Sequence, residues 1–205
     1  MRKLTRGFFS RPAIELAPAL IGKVIVHRVD GTELRSRIVE TEAYIGAHDL
    51  ACHAAKGRTR RTEVMFGPGG RAYVYFIYGM HEMFNVVASR KGDAQAVLVR
   101  AAEPLDGWEV NLSGPGRFAK GMRITREENG LDLTGEEMFF LNDVKDRPRI
   151  VTAQRIGVDY SGEWREAMLR FLDTDTDAVS KPRPVIGSVE NLWEAKEPRS
   201  PDHRY

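Results

Sequence analysis

The sequence has one cysteine, Cys52, among its 205 residues. A lone cysteine cannot form a disulfide within the chain, which excludes the disulfide-rich secreted scaffolds and is typical of a reducing compartment. No apolar run approaches the ~20 residues that a membrane-spanning helix needs. The N-terminal segment lacks the apolar core of a signal peptide, because Arg11, Glu15 and Pro18 interrupt it. We therefore expect a cytoplasmic protein without a membrane partner.

The sequence also lacks a large excess of charge of one sign. Lysine and arginine total 31 and aspartate and glutamate 29, so the net charge is +2, too small by itself to indicate a nucleic-acid partner. The charges are nevertheless segregated, because residues 127–146 hold seven acids and one lysine. A run without acids contains Lys56, Arg58, Arg60 and Arg61. A solvated face is the simplest interpretation of such a run, and contact with phosphates is the alternative.

Most predicted elements are strands joined by short turns. Asp30-Gly31, a strong hairpin signal, joins strands predicted at 23–29 and 33–44. Further strands are predicted at 72–78, 83–88, 94–104 and 167–173, and a glycine-rich loop opens a helix with Asn111 or Ser113 as its N-cap. Because strands and helices do not alternate, we expect an α+β fold: a single domain around a curved, mainly antiparallel β-sheet with peripheral helices.

The domain is expected to occupy residues 1–180, since a single core can grow to this size and no linker-like composition divides it. Residues 181–205 are rich in proline and charge and hold few apolar residues. We expect them to form a C-terminal extension, either loosely ordered or packed on the domain. Its apolar side chains are Val185, Ile186, Leu192 and Trp193.

Carboxylate and aromatic side chains fall near the ends of two predicted strands. Glu42 and Tyr44 are separated by one residue, so on an extended chain they point to the same face. By the same period Tyr73 and Tyr75 share a face, while Tyr78 follows the strand. Ordinary packing competes with a functional interpretation, because a glutamate at a strand end is usually solvated and strand tyrosines usually pack across the sheet.

A metal site is weakly indicated. His48, Cys52 and His53 are residue types that bind zinc, but there is no second cysteine and no spacing typical of a zinc site. We therefore expect neither a metal nor a cofactor.

Six segments, taken in order, resemble the 3-methyladenine (alkyladenine, or methylpurine) DNA glycosylase family. They are IVETEAYIG, YVYFIYGMHEMFNVV, AVLVRAAEP, SGPGRFAKGM, NGLDLTG and RIGVDYSGEW, and the resemblance covers about residues 16–171. It implies a mixed domain with a curved antiparallel sheet and a role in base-excision DNA repair. The partner would be double-stranded DNA containing damaged purines, which a monomer flips out before hydrolysing the N-glycosidic bond.

The resemblance also implies roles for individual residues. Glu42 matches the general base that activates water, and Arg100, whose place in an apolar strand demands a charged partner, matches the arginine that positions this water and the glutamate. The residues that match the pocket for the flipped base are Tyr44, His53, Tyr75 and Asn85, the last of which crowds the amine of normal guanine. Tyr78 matches the wedge that fills the gap left in the base stack. The residues expected at the DNA backbone are Lys56, Arg58, Arg60, Arg61 and Arg117.

The segment IGAHDLACH departs from the usual family form, in which a proline and an acid follow the glycine and a small polar residue stands at Cys52. The resemblance therefore does not assign the residues at the rim of the pocket. It also does not assign a preference among alkylated, etheno-bridged and deaminated purines. Two alternatives remain: a lesion-binding protein that has lost turnover, and a metal-dependent nucleic-acid hydrolase that uses His48, Cys52 and His53.

Overall fold

The computed structural model describes residues 2–142 and 148–182. Within these residues nine strands form one open antiparallel sheet, in the order β1-β7-β2-β3-β6-β5-β4, and β9 joins it by pairing with β3 and β8. The strands are β1 (Arg2–Lys3), β2 (Val24–Val29), β3 (Thr32–Tyr44), β4 (Ala72–Ile77), β5 (His81–Ala88), β6 (Gln95–Pro104), β7 (Met138–Asn142), β8 (Ile150–Ala153) and β9 (Arg170–Asp173). The predicted α+β class is confirmed.

The helices are short. The α-helices are α1 (Arg6–Phe9), α2 (Ala13–Leu20) and α3 (Pro115–Gly121), and 3-10 helices span His53–Lys56, Glu63–Phe66, Arg126–Glu128 and Asp159–Glu166. None of the helices in the described ranges is long and apolar enough to cross a membrane.

The predicted N-cap of α3 is wrong. Gly114, rather than Asn111 or Ser113, occupies that position, with a φ of 140° that favours glycine. Pro115 then begins the helix, where its fixed φ is compatible with the first turn. The Asn111 side chain instead accepts a hydrogen bond from the Ser113 N–H at 2.9 Å and closes a local turn.

Most predicted strands differ from the observed ones by one to three residues at an end, and two of these shifts have a clear local reason. The β2–β3 hairpin turns at Asp30 and Gly31 as predicted, with φ values of 50° and 71°. β4 ends at Ile77, one residue earlier than predicted, because Tyr78 has a φ of 54° and leaves the extended conformation. The last strand begins at Arg170 instead of Ala167, which ends the preceding 3-10 helix. Most of the predicted extension, residues 183–205, lies outside the described residues.

The two faces of the sheet have different roles. α2 and α3 pack on one face over the largest apolar cluster, which includes Ala43 and Val74. A smaller cluster on the other face contains Tyr73 and is flanked by Tyr44 and Tyr75. The period of two along β3 and β4 produces this separation, so the aromatic side chains collect on the face without α2 and α3.

Candidate active site

A cavity of about 310 Å³ opens on the aromatic face of the sheet. Side chains from β3, β4, β5 and β6 form its floor, and residues from the segments that follow β3, β4 and β8 and from the start of α3 complete its walls. The lining residues include Tyr44, His53, Tyr73, Tyr75, Tyr78, Asn85, Arg100, Ile156 and Tyr160. Its volume is at the lower end of the roughly 300–1,000 Å³ typical of ligand sites, which suits one flat heterocycle.

Strand register explains why residues distant in sequence meet here. Glu42 is opposite Leu98, Leu98 is opposite Asn85, and Asn85 is opposite Tyr73. Residues directly opposite one another in a ladder point to the same face of the sheet. This row across four strands therefore places the carboxylate of Glu42, the amide of Asn85 and the phenol of Tyr73 on one face.

Glu42 lies behind the cavity wall and is fully buried. Its Oε1 accepts hydrogen bonds from the Ile156 N–H at 2.8 Å and lies 3.2 Å from Nη1 of Arg100, and its Oε2 accepts from the Tyr44 hydroxyl at 2.9 Å. All three partners line the cavity. Two donor groups and one positive charge therefore fix the orientation of the carboxylate.

Arg100 is shared between two carboxylates. The β3–β6 register shifts twice, which leaves Val39 and then Arg100 without a ladder partner. The Arg100 guanidinium thereby reaches Glu40 at 2.8 Å as well as Glu42. Burial alone would lower the pKa of Arg100, but Glu42 and Glu40 raise it above its ordinary value, so the arginine stays charged.

Glu40 is the centre of a second buried network that the sequence did not reveal. Besides Arg100, it accepts a hydrogen bond from Nε of Arg170 at 2.7 Å and from the Ser180 hydroxyl at 2.8 Å. Arg170 in turn donates to the backbone oxygens of Ser180 and Pro182. The network ties the end of the described chain to the strand that carries Glu42.

Three aromatic rings form one wall of the cavity. The ring of His53 lies 4.6 Å from that of Tyr75, and Tyr73 and Tyr75 are 5.4 Å apart, measured between ring centres. Nδ1 of His53 hydrogen bonds the Tyr73 hydroxyl at 2.9 Å. Burial, together with Arg61 and Lys56, lowers the pKa of His53 to about 4. The imidazole is therefore neutral at physiological pH.

Asn85 and two exposed tyrosines complete the cavity. Nδ2 of the buried Asn85 donates to the backbone oxygens of Tyr73 and Met83, which fixes its amide group. Tyr78 is 79% exposed in the turn between β4 and β5, as expected for a residue beyond the strand. Tyr160, which the sequence did not single out, is 69% exposed and lines the cavity from the 3-10 helix Asp159–Glu166.

Basic side chains lie beside the cavity. The residues expected at the DNA backbone, Lys56, Arg58, Arg60, Arg61 and Arg117, are all exposed. The guanidinium of Arg61 lies 5.0 Å from the centre of the Tyr75 ring, and Arg58 pairs with Glu63. Arg117 projects from α3, whose first residue, Pro115, lines the cavity.

Among the described residues, His48, Cys52 and His53 do not converge into a group of potential metal ligands. Burial raises the pKa of the Cys52 thiol to about 11. His48 packs against Trp164, and His53 is bonded to Tyr73. Within the described ranges one group of potential ligands converges, formed by His27, Glu128 and Glu137. The Glu128 carboxylate there already accepts hydrogen bonds from the N–H and hydroxyl of Thr125, and we assign no metal to this group.

Comparison with known proteins identifies the family. Residues 7–177 match the family model for methylpurine-DNA glycosylase (MPG). The chain belongs to the methylpurine-DNA glycosylase family. It is therefore a DNA glycosylase, an enzyme of DNA repair that acts on alkylated bases.

Similar proteins support this membership of the methylpurine-DNA glycosylases. Three of them, each called "Putative 3-methyladenine DNA glycosylase", come from Legionella pneumophila (strain Lens), Anaeromyxobacter sp. (strain Fw109-5) and Methanocella arvoryzae. They are 46%, 49% and 43% identical to this glycosylase. The matches cover 88%, 82% and 90% of this chain and 100%, 88% and 98% of the respective relatives.

Proposed function

We propose that this glycosylase flips an alkylated purine out of double-stranded DNA into the aromatic cavity and hydrolyses its N-glycosidic bond with water. The observation that carries the proposal is the buried Glu42 carboxylate, oriented by three groups that all line that cavity. An enzyme that acts on a base must extrude it from the stack and hold it by stacking and edge contacts.

The cavity wall suits a cationic base. Alkylation at a ring nitrogen gives the purine a positive charge, which the faces of Tyr44 and Tyr75 attract by cation–π interaction, worth about 2 kcal/mol where water is excluded. A neutral His53 adds a ring without adding repulsion. In this proposal Asn85, whose amide is fixed by two hydrogen bonds, crowds the exocyclic amine of normal guanine.

In the proposed reaction Glu42 is the general base. It removes a proton from water as the water oxygen bonds to C1′ of the sugar, and the bond from C1′ to the purine nitrogen breaks. The electron pair of that bond leaves with the base and neutralises its positive charge, so no general acid is required for a cationic purine. Arg100 holds the carboxylate and orients the water.

The exposed groups around the cavity suit DNA. In this proposal the exposed Tyr78 enters the gap in the base stack and offsets part of the unstacking cost. The basic loop and Arg117 provide contacts to phosphates on either side. One chain supplies every group, so we propose that a monomer is sufficient, and that it acts in the cytoplasm in association with the DNA that is its substrate.

The test is release of free base in the presence of a strong chelator. Wild-type protein and Glu42→Gln are each incubated with duplexes containing methylated purine, etheno-adenine or hypoxanthine. We expect release by the wild type alone, faster for the methylated purine, because its leaving group is cationic. Lesion-selective binding without release would make the protein a binding module, and loss of release in chelator would favour the metal-dependent alternative.

A further inference from the structure

A buried ion pair beside the active site does not line the cavity. The side chains of Asp49 and Arg155 are both fully buried. Nη1 of Arg155 donates to Oδ2 of Asp49 at 2.6 Å and Nη2 donates to Oδ1 at 2.9 Å, so the pair is bidentate. Asp49 also accepts from the backbone N–H groups of Ile45 and Ala51.

The pair joins two segments that meet at Glu42. Asp49 lies in the loop after β3, and Arg155 lies just after β8. Nη1 of Arg155 also donates to the backbone oxygen of Ala43 at 2.9 Å, and its guanidinium lies 4.9 Å from the centre of the Tyr44 ring. Arg155 therefore contacts the two residues that follow Glu42 in β3.

The next residue in the chain completes the connection. Ile156 follows Arg155, and its N–H donates to Glu42 at 2.8 Å. On the other carboxylate oxygen the donor is the hydroxyl of Tyr44, the ring against which Arg155 packs. Two of the three groups that orient Glu42 are therefore held by the same guanidinium.

We propose that Asp49 and Arg155 are positioning residues for the reaction in which Glu42 is the general base, an inference that rests on the proposed function. The pair holds the Ile156 N–H and the Tyr44 ring where each hydrogen bonds Glu42. A misplacement of about 1 Å in a reacting group can reduce a rate roughly 100-fold, so a rigid support of this kind has a direct effect on rate.

Stability alone is a poor explanation for the pair. Replacing a buried ion pair by apolar side chains is often neutral or stabilising, because both charges lose their hydration. Among the described residues, moreover, Nε of Arg155 is buried without a hydrogen-bond partner. A lysine would keep the charge but not the planar fork that bonds Asp49 and Ala43 together. The geometry of the guanidinium is therefore the feature to test.

The experiment compares Asp49→Asn, Arg155→Lys and Val24→Ala with the wild type. Val24 is buried in β2 with Val26 and Phe139, away from the cavity, so Val24→Ala reports loss of stability alone. Single-turnover excision of a methylated purine is measured over a range of enzyme concentrations, which separates the maximal rate constant from half-saturation. Thermal unfolding of each variant identifies the temperature at which all are folded.

We expect Asp49→Asn and Arg155→Lys to lower the maximal rate constant about tenfold or more, with half-saturation changed by less than about twofold. Val24→Ala should leave the rate constant unchanged. Rate constants of both pair variants equal to that of Val24→Ala, with the wild type active, would overturn the positioning role alone. Absence of release by the wild type would overturn the proposed function and this inference with it.

A double-mutant cycle provides a second readout that a structural role would not affect. Tyr44→Phe removes the hydroxyl that donates to Glu42. If Arg155 acts through that hydroxyl, the effects of Arg155→Lys and Tyr44→Phe on the rate constant are less than additive. Strictly additive effects, in variants that are both folded, would contradict a route through Tyr44.

Discussion

Two glutamates on the same strand, Glu40 and Glu42, are fully buried but have different surroundings. Glu40 lies between two arginines, Arg100 and Arg170, and also accepts two hydrogen bonds from Ser180. Glu42 is bonded to one arginine and two neutral donors. The first arrangement is a structural ion network, whereas the second leaves the carboxylate next to a cavity.

This difference predicts different effects on stability. Removing one partner of a buried ion pair leaves the other charge uncompensated and costs about 3–5 kcal/mol. We expect Glu40→Gln, which affects two arginines, to lower the free energy of unfolding by about 3 kcal/mol or more, and Glu42→Gln to lower it by clearly less. Urea denaturation of both variants measures this, and equal losses would contradict the assignment of Glu40 as the structural carboxylate.

His53 predicts a pH effect with a definite sign. Its pKa is about 4 in the folded protein, below the ordinary value of 6.5. As the pH falls from 6.5 to 4, the unfolded chain binds a proton at this position that the folded protein does not bind, so its contribution to stability decreases. His53→Gln cannot bind this proton. Denaturation at pH 7 and pH 4.5 should show the variant gaining stability relative to wild type at the lower pH, and a constant difference would refute a half-buried histidine that stays neutral.

At the scale of residues, the sequence predicted which side chains share a face of a strand, because the alternation of side chains along a strand controls this. Side-chain alternation placed Glu42 with Tyr44 and Tyr73 with Tyr75, and each pair lies on one face as predicted. Asp49 and Arg155 are 106 residues apart, and both lie outside the regular elements. No period connects such residues, so only the folded chain brings them together.

At the scale of elements, the bulged ladder between β3 and β6 decides where Arg100 points. A regular ladder would place Arg100 directly opposite a single residue of β3, whereas the two register shifts let it reach both glutamates. Hairpins with short turns were predictable because Asp-Gly and glycine-rich turns have characteristic sequences. The bulges were not, because an extra residue in a buried strand leaves no sequence signal comparable to a turn.

The turn between β4 and β5 carries a second prediction at this scale. Tyr78 has a φ of 54° and precedes Gly79 with a φ of 67°. A left-handed conformation is unfavourable for a bulky residue, and such strain is concentrated at functional sites. Because the ring is exposed, we expect Tyr78→Ala to leave the unfolding temperature nearly unchanged. The rate constant of single-turnover excision should fall about tenfold, which corresponds to a loss of about 1.4 kcal/mol of transition-state stabilisation.

Tyr78→Phe is the matched control for the turn. It keeps the ring, which fills the gap in the base stack, and removes only the hydroxyl, so we expect excision close to that of the wild type. Excision by Tyr78→Ala at the wild-type rate would contradict the wedge. Equal losses in both variants would assign the effect to the hydroxyl instead.

At the scale of the whole molecule, the near-neutral net charge conceals a polarised surface. Lys56 lies near enough to His53 to lower its pKa, and Arg60 lines a shallow groove with Tyr75. Within the described ranges neither makes a salt bridge, whereas Arg28 lies in β2 outside the cavity lining and pairs with Glu33. A basic face next to the cavity would make binding to DNA strongly dependent on salt, because each phosphate contact releases counterions.

The salt dependence can therefore be assigned to residues. Titration of undamaged duplex at several salt concentrations gives the slope of log K against log[salt], in which each phosphate contact contributes about 0.9. We expect Lys56→Ala and Arg60→Ala each to reduce the magnitude of this slope by about 1, and Arg28→Ala to leave it unchanged. The cavity and Glu42 are intact in all three variants, so excision at saturating enzyme should remain at the wild-type rate. A reduced slope for Arg28→Ala but not for Arg60→Ala would place the DNA on another face of the protein.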